Sequence, residues 1–304
     1  MSAPENIEPK SMSKISIGII TIATGKYYEQ FIPTLLQSLD RFIDKSEANL
    51  QVYCFTDATS RPPNLTHFAI PHLGWPFSTL LRYHWIASQL PILLRNDILV
   101  YMDADMQVVA PIDLTLWRPS LFAVEHPGYV GTTGAFEIDR QEACYLAPPL
   151  RQTYFQGCLW GGSRDSFSQL ISELSTLVAS NLAQGAIPTW HDESYLNFYL
   201  ATHPCASLPI SYAWPAAMSQ QGMQPVILHL EKPHSAIRQT SELVISLGEI
   251  LKVDDLPAQL ALYQRLYLVA HEKSQRLELQ ILHHNGLFVR LREWLSHYKR
   301  KIKL

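Results

Sequence analysis

Asp97-Ile98-Leu99-Val100-Tyr101-Met102-Asp103-Ala104-Asp105-Met106 is the stretch on which the fold turns, an unbroken apolar run ending in two carboxylates one residue apart. Such a run, short and bounded by acids, fits a strand buried on both faces, the pattern of a parallel sheet covered by helices. Residues at i and i+2 of a strand share a side, so Asp103 and Asp105 can converge on one hard cation, which prefers oxygen ligands. Two carboxylates that close repel, and a bound cation relieves the conflict. The plain alternative is a strand ending in an Asp-rich turn, and Asp-x-Asp alone does not decide between them.

The flanking sequence supports the sheet. Ile15-Ser16-Ile17-Gly18-Ile19-Ile20-Thr21-Ile22 reads as a buried first strand, with Gly25-Lys26-Tyr27 as its loop. A helix over residues 28–43, a strand over 50–57, a short strand over 68–71 and a helix over 78–94 lead into the acidic run. Strands alternating with helices predict an α/β domain whose ligand sits beyond the carboxyl ends of the strands, where Asp103 and Asp105 lie. The second half is more mixed: a strand over 121–125, a glycine-rich stretch over 154–163, a helix over 164–183 and another opening at Trp190. Asp192 and Glu193 fall in its first turn, where the helix dipole favours acids and an ordinary helix start is one account of them. The company of Trp190 and His191 favours another: an apolar face for a sugar ring and a carboxylate for its anomeric carbon.

Composition narrows the classes. A chain of 304 residues is long enough for one large α/β domain or two smaller ones. A net charge of −3 gives no signature of nucleic-acid binding. Cys54, Cys144, Cys158 and Cys205 are scattered without a CxxC pair, which argues against zinc ribbons and disulfide scaffolds and for free thiols in a reducing cytosol. No apolar run approaches the roughly 20 residues that span a bilayer.

Three ordered blocks carry a resemblance. The first is Tyr101-Met102-Asp103-Ala104-Asp105-Met106, followed by His126-Pro127-Gly128-Tyr129-Val130-Gly131. The second is Tyr154-Phe155-Gln156-Gly157-Cys158-Leu159-Trp160-Gly161-Gly162-Ser163, and the third Trp190-His191-Asp192-Glu193-Ser194-Tyr195-Leu196-Asn197. With echoes at Ala23-Thr24-Gly25-Lys26-Tyr27 and Lys232-Pro233-His234-Ser235-Ala236-Ile237-Arg238, the chain resembles glycosyltransferase family 6, the family of the histo-blood-group A and B transferases and α1,3-galactosyltransferase.

The resemblance implies a GT-A fold: a mostly parallel twisted sheet flanked by helices, over residues 14–240, with nucleotide binding in about 14–110 and acceptor binding in about 111–240. It implies retaining transfer of galactose or N-acetylgalactosamine from UDP, in α1,3 linkage, to a galactoside or oligosaccharide acceptor whose fucosylation and lipid linkage stay open. Carried over by position, Ile22, Thr24 and Tyr27 would hold the uridine, and Arg82, His191 and Asp192 the donor. Asp103 and Asp105 would bind Mn²⁺, with Mg²⁺ the alternative, together with the diphosphate. Lys232, His234 and Arg238 would close over that diphosphate. His126 and Trp190 would face the acceptor, and Glu193 would be the catalytic carboxylate, in contact with donor and acceptor. Some bacterial relatives carry Asn-x-Asn and work without metal; the retained carboxylates imply metal dependence.

The resemblance also makes Gln156 and Cys158 the donor-selectivity positions, and the bulk of Cys158, where the family usually has Gly or Ala, tilts the expectation toward UDP-galactose. A non-catalytic carbohydrate-binding protein and a glycoside hydrolase are the alternatives from other classes. Residues 241–304 are expected to form a helical extension. It would end in a basic amphipathic helix over 285–304, where Leu287, Leu291, Trp294, Leu295, Tyr298 and Ile302 alternate with arginines and lysines. Such a helix either packs on the catalytic domain or rests on an anionic membrane. Without a leader or membrane anchor in view, the expectation is a bacterial or phage-type member in the cytoplasm, at most peripheral at the inner membrane face.

Overall fold

The computed structural model describes residues 14–73, 76–218 and 222–232. His234, Arg238 and the extension expected over 241–304 lie outside them. β1 (Ile15–Ile22), α1 (Lys26–Phe42), β2 (Ala48–Thr56) and β3 (Thr66–Ala69) follow one another, and β1–β2 and β2–β3 pair in parallel. The helix expected over 78–94 is broken into α2 (Phe77–Leu80), α3 (Arg82–Ser88) and α4 (Leu90–Leu93). Pro91 explains the second break: it has no N–H to donate, and its ring excludes the carbonyl four residues back, so α3 stops at Ser88. The first break, at Leu81, is the one that matters for the site, because it lets Arg82 begin a short helix of its own.

β4 (Ile98–Met102) pairs in parallel with β1 and is buried along its whole length. Leu99 and Tyr101 pack into one core cluster, Ile98, Val100 and Met102 into the other, so the strand divides two apolar layers. β5 (Met106–Val108) follows the acidic turn, and β6 (Leu121–Glu125) comes next. The glycine-rich stretch becomes β7 (Phe155–Ser163), antiparallel to both β4 and β6. Gly161 and Gly162 are required there by close approach: a Cβ would lie 2.4 Å from the Leu99 carbonyl oxygen and 2.1 Å from that of Ser120, respectively. α5 (Arg164–Ala183) and α6 (His191–Leu200) cover this side, and β8 (Ala206–Leu208) ends the sheet in parallel with β6.

The resulting seven-stranded sheet has the order β3-β2-β1-β4-β7-β6-β8 and is mostly parallel, flanked by helices, as the GT-A expectation required. A second, three-stranded sheet joins β5, β10 (Ile227–His229) and β9 (Trp214–Pro215). β5 and β10 are antiparallel, with His229 opposite Met106. Among the described residues no helix is long and apolar enough to cross a membrane.

Candidate active site

β4 ends at Met102, so Asp103 and Asp105 stand in the turn between β4 and β5 rather than on one side of a strand. Their convergence comes from that turn, which the Asp103 N–H anchors by donating to the Cys158 carbonyl at 2.9 Å. The tyrosine two residues earlier steadies Asp103: the Tyr101 hydroxyl donates to its Oδ1 at 2.8 Å. Asp105 is almost completely buried, and its Oδ2 receives the Lys232 ammonium and faces His229 Nε2 at 3.5 Å. The Lys232 ammonium and the His229 imidazole facing Oδ2 overcome burial and hold the Asp105 carboxyl well below the usual carboxylate range.

Ligand atoms of Asp103, Asp105 and His229 all lie within 4.8 Å of one another. Two carboxylates and an imidazole are a donor set for a divalent cation. His229 was not foreseen from the sequence. The β5–β10 register places it beside the acidic turn, and the Leu230 N–H donates to the Asp105 carbonyl at 2.8 Å to hold it there.

Arg82 is buried at the centre of the site. Its Nη1 lies 3.0 Å from Asp192 Oδ2 and donates to the Gly157 carbonyl at 2.8 Å, and Nη2 lies 3.5 Å from Asp103 Oδ1. The guanidinium also rests 4.5 Å from the centre of the Tyr101 ring. One cation thus holds together the acidic turn, the start of β7 and the first turn of α6. Even beside Arg82, burial pushes the Asp192 carboxyl up to about 6.

Glu193 is held by two donors: the Tyr154 hydroxyl on Oε1 and the Gly157 N–H on Oε2, each at 2.7 Å. Burial outweighs these bonds and pushes the Glu193 carboxyl up to about 7. Gly157 leaves little spare room here: a Cβ would stand 3.2 Å from Asp192 Oδ2, which would have to give by a few tenths of an ångström, and 3.4 Å from Glu193 Oε2. Asn197 pins α6 to β7 through a reciprocal pair with the Phe155 backbone, both bonds 2.8 Å. His191, with φ 51°, is the one non-glycine among the described residues in the left-handed region, a strained start to α6 that turns Asp192 and Glu193 inward.

These side chains share one cavity of about 190 Å³, lined among others by Arg82, Asp103, Gln156, Trp190, Glu193 and His229. That is below the ~300 Å³ at which drug-sized pockets begin, and suits a small polar ligand group. Cys158 also lines it, buried, its thiol pushed up by burial and kept neutral. His126 lies in an aromatic group with Tyr129 and Tyr154, ring centres 4.8 and 5.9 Å away. Burial lowers His126 to about 4, and its Nδ1 accepts from the Gly128 N–H at 3.0 Å, so Nε2–H is the hydrogen-bond donor of a neutral ring.

Of the residues expected at the nucleotide, Thr24 binds His72 Nδ1 through its hydroxyl at 2.9 Å, and the Tyr27 ring lies 5.8 Å from Lys232 Nζ. Ile22 closes β1 and packs on one of the core clusters. Lys232 therefore stands between the start of α1 and the acidic turn. Tyr101, Tyr154 and His229 are the members of the site that sequence reasoning missed. Tyr101 and Tyr154 stood inside blocks already singled out, whereas His229 lies three residues before the Lys232–Arg238 echo and outside it.

Comparison with known proteins gives consistent results. The sequence profile of glycosyltransferase family 6 matches residues 7–239. The O-antigen biosynthesis glycosyltransferase WbnI of Escherichia coli is 30% identical over 220 residues, 70% of this chain and 93% of that protein. Histo-blood group ABO system transferase 2 of Rattus norvegicus is 31% identical over 220 residues, 66% of this chain and 63% of that protein. Globoside alpha-1,3-N-acetylgalactosaminyltransferase 1 of Gallus gallus is 24% identical over 234 residues, 70% of this chain and 66% of that protein. The matched region thus spans nearly all of the bacterial relative and just under two thirds of the two animal ones.

Proposed function

The chain belongs to glycosyltransferase family 6, and from that membership we propose that it is a metal-dependent hexosyltransferase. It would move galactose or N-acetylgalactosamine from a UDP-sugar, in α1,3 linkage and with retention, to a galactoside-containing acceptor. The observation that carries this reading is the shared cavity, which has the acidic turn on one side and the doubly bonded Glu193 carboxylate on the other. A hydrolase would need paired carboxylates but has no use for a cationic Lys232 between Tyr27 and Asp105. A lectin has no use for a half-buried carboxylate raised toward neutrality.

In this assignment Ile22, Thr24 and Tyr27 take the uridine, and Lys232 turns to the diphosphate. Arg82, His191 and Asp192 surround the donor sugar, with His126 and Trp190 on the acceptor side. A divalent cation held by Asp103 and Asp105 would supply charge neutralisation to the departing diphosphate. Glu193 faces the anomeric carbon, where it either attacks to give a glycosyl-enzyme ester or stabilises the oxocarbenium charge while the acceptor enters from the leaving-group side. In both routes the C1–O bond breaks toward the diphosphate, which takes the acceptor hydroxyl's proton on a β-phosphate oxygen; in the first, the acceptor oxygen then displaces the Glu193 carboxylate from C1 and frees it again.

Both routes need Glu193 ionised. Because burial raises its carboxyl, the protonated form prevails below about pH 7 in the free enzyme. The profile of kcat/KM is expected to fall tenfold per pH unit on the acid side, bending near pH 7. A flat profile down to pH 5 would contradict the role.

Radiolabelled UDP-galactose and UDP-N-acetylgalactosamine, offered with a galactoside panel, test the whole reading. Transfer is expected, faster from UDP-galactose because Cys158 narrows the cavity, abolished by EDTA and restored by Mn²⁺. No transfer from either donor sinks the proposal, and full activity in chelator removes the metal from it.

A further inference from the structure

His229 touches the site at both ring nitrogens. Nε2 faces Asp105 Oδ2 at 3.5 Å, too long for a hydrogen bond, and Nδ1 meets the Gln156 side-chain nitrogen at 3.2 Å. Two atoms in this pair are buried without a hydrogen-bond partner: His229 Nε2 and Gln156 Oε1. Buried polar atoms seldom stay orphaned, so the two vacancies call for one explanation.

A neutral imidazole carries one proton. With the proton on Nδ1, Nε2 presents a bare lone pair to a carboxylate, an arrangement that repels unless a cation lies between them. The side-chain oxygen and nitrogen of glutamine occupy equivalent positions, and exchanging them turns Gln156 Oε1 toward Nδ1–H. That exchange pairs Nδ1–H with Oε1, moves the amide nitrogen into the position Oε1 held, and leaves Nε2 facing Asp105 Oδ2 at 3.5 Å, in a cluster whose ligand atoms from Asp103, Asp105 and His229 lie within 4.8 Å of one another.

We propose that His229 Nε2 is a third protein ligand of the divalent cation, and that Gln156 is the acceptor that fixes its tautomer. This rests on the metal-dependent reading above and adds to it. An imidazole ligand favours Mn²⁺ or Co²⁺ over Mg²⁺, and three protein ligands allow the cation to bind before the nucleotide. Gln156 then has two duties, lining the cavity and orienting a metal ligand, so substitutions at 156 change metal affinity as well as donor choice. Lys232, which has only protons to offer, neutralises Asp105 until the cation takes that carboxylate.

Pulsed electron paramagnetic resonance on the full-length protein with Mn²⁺, alone and with UDP, tests this without an activity assay. Modulation from a directly bound ¹⁴N is expected, and it should change to the ¹⁵N pattern when histidine is ¹⁵N-labelled. His229→Gln should abolish it and weaken Mn²⁺ at least tenfold by titration. Gln156→Leu should keep the modulation and weaken Mn²⁺ about tenfold. Mn²⁺ bound by the unmutated protein without nitrogen modulation overturns the third ligand and leaves metal dependence standing. Absence of Mn²⁺ binding even with UDP overturns both. Unchanged affinity in Gln156→Leu removes the role given to Gln156.

Discussion

Glu193→Gln is expected to lower sugar transfer by about 10³-fold or more, some 4 kcal/mol of transition-state stabilisation, while UDP binding and the fold survive. The survival follows from the hydrogen bonds. The glutamine oxygen can accept from the Gly157 N–H as Oε2 does now, and its amide can donate to the Tyr154 hydroxyl in place of the bond that Oε1 accepts. Shape and packing are thus kept, and what is lost is the negative charge that either route to retention requires. Calorimetry for UDP and a transfer assay separate the two properties. Transfer within tenfold of the parent would remove Glu193 from the chemistry.

Arg82→Met is expected to cost about 3–5 kcal/mol of stability, because it strands charges rather than contacts. Asp192 is buried with Arg82 3.0 Å away, and Asp103 lies 3.5 Å from the same guanidinium. Without Arg82, the carboxylate of Asp192 either stays charged in a poor environment or takes up a proton, and the Gly157 carbonyl loses a 2.8 Å donor. A drop of roughly 10 °C in melting temperature is the expected reading. Adding Asp192→Asn should recover part of it, since the second change removes the charge that the first left unpaired. An unaltered melting temperature, or strictly additive losses, would show that Arg82 does not bind the site together.

The two halves of the site differed in how far the sequence disclosed them. Trp190-His191-Asp192-Glu193 was legible because all four residues fall within one helical turn and its cap. Their block also recurs in order with two others, and the family profile runs through all of them. The strained φ of His191, which turns those carboxylates inward, leaves no trace in residue type. The single helix expected over 78–94 from apolar spacing is divided in the structure, at its second break because Pro91 ends α3 at Ser88. The acidic pair stands in a turn beyond Met102 rather than along the strand, so its convergence follows from the turn and not from strand alternation.

By itself the sequence determined the alternation of strands and helices, the two-sided burial of Ile98–Met102 and the identity of the carboxylates, because each follows from residue type and short-range spacing. Tertiary structure alone decided which distant groups meet those carboxylates. Arg82, Gly157 and Asp192 converge through the packing of α3, β7 and α6, and His229 reaches Asp105 through the pairing of β10 with β5. The physical reason is that strand register is fixed by backbone hydrogen bonds and by burial of one face, neither of which reveals in one strand which residue will stand opposite in another.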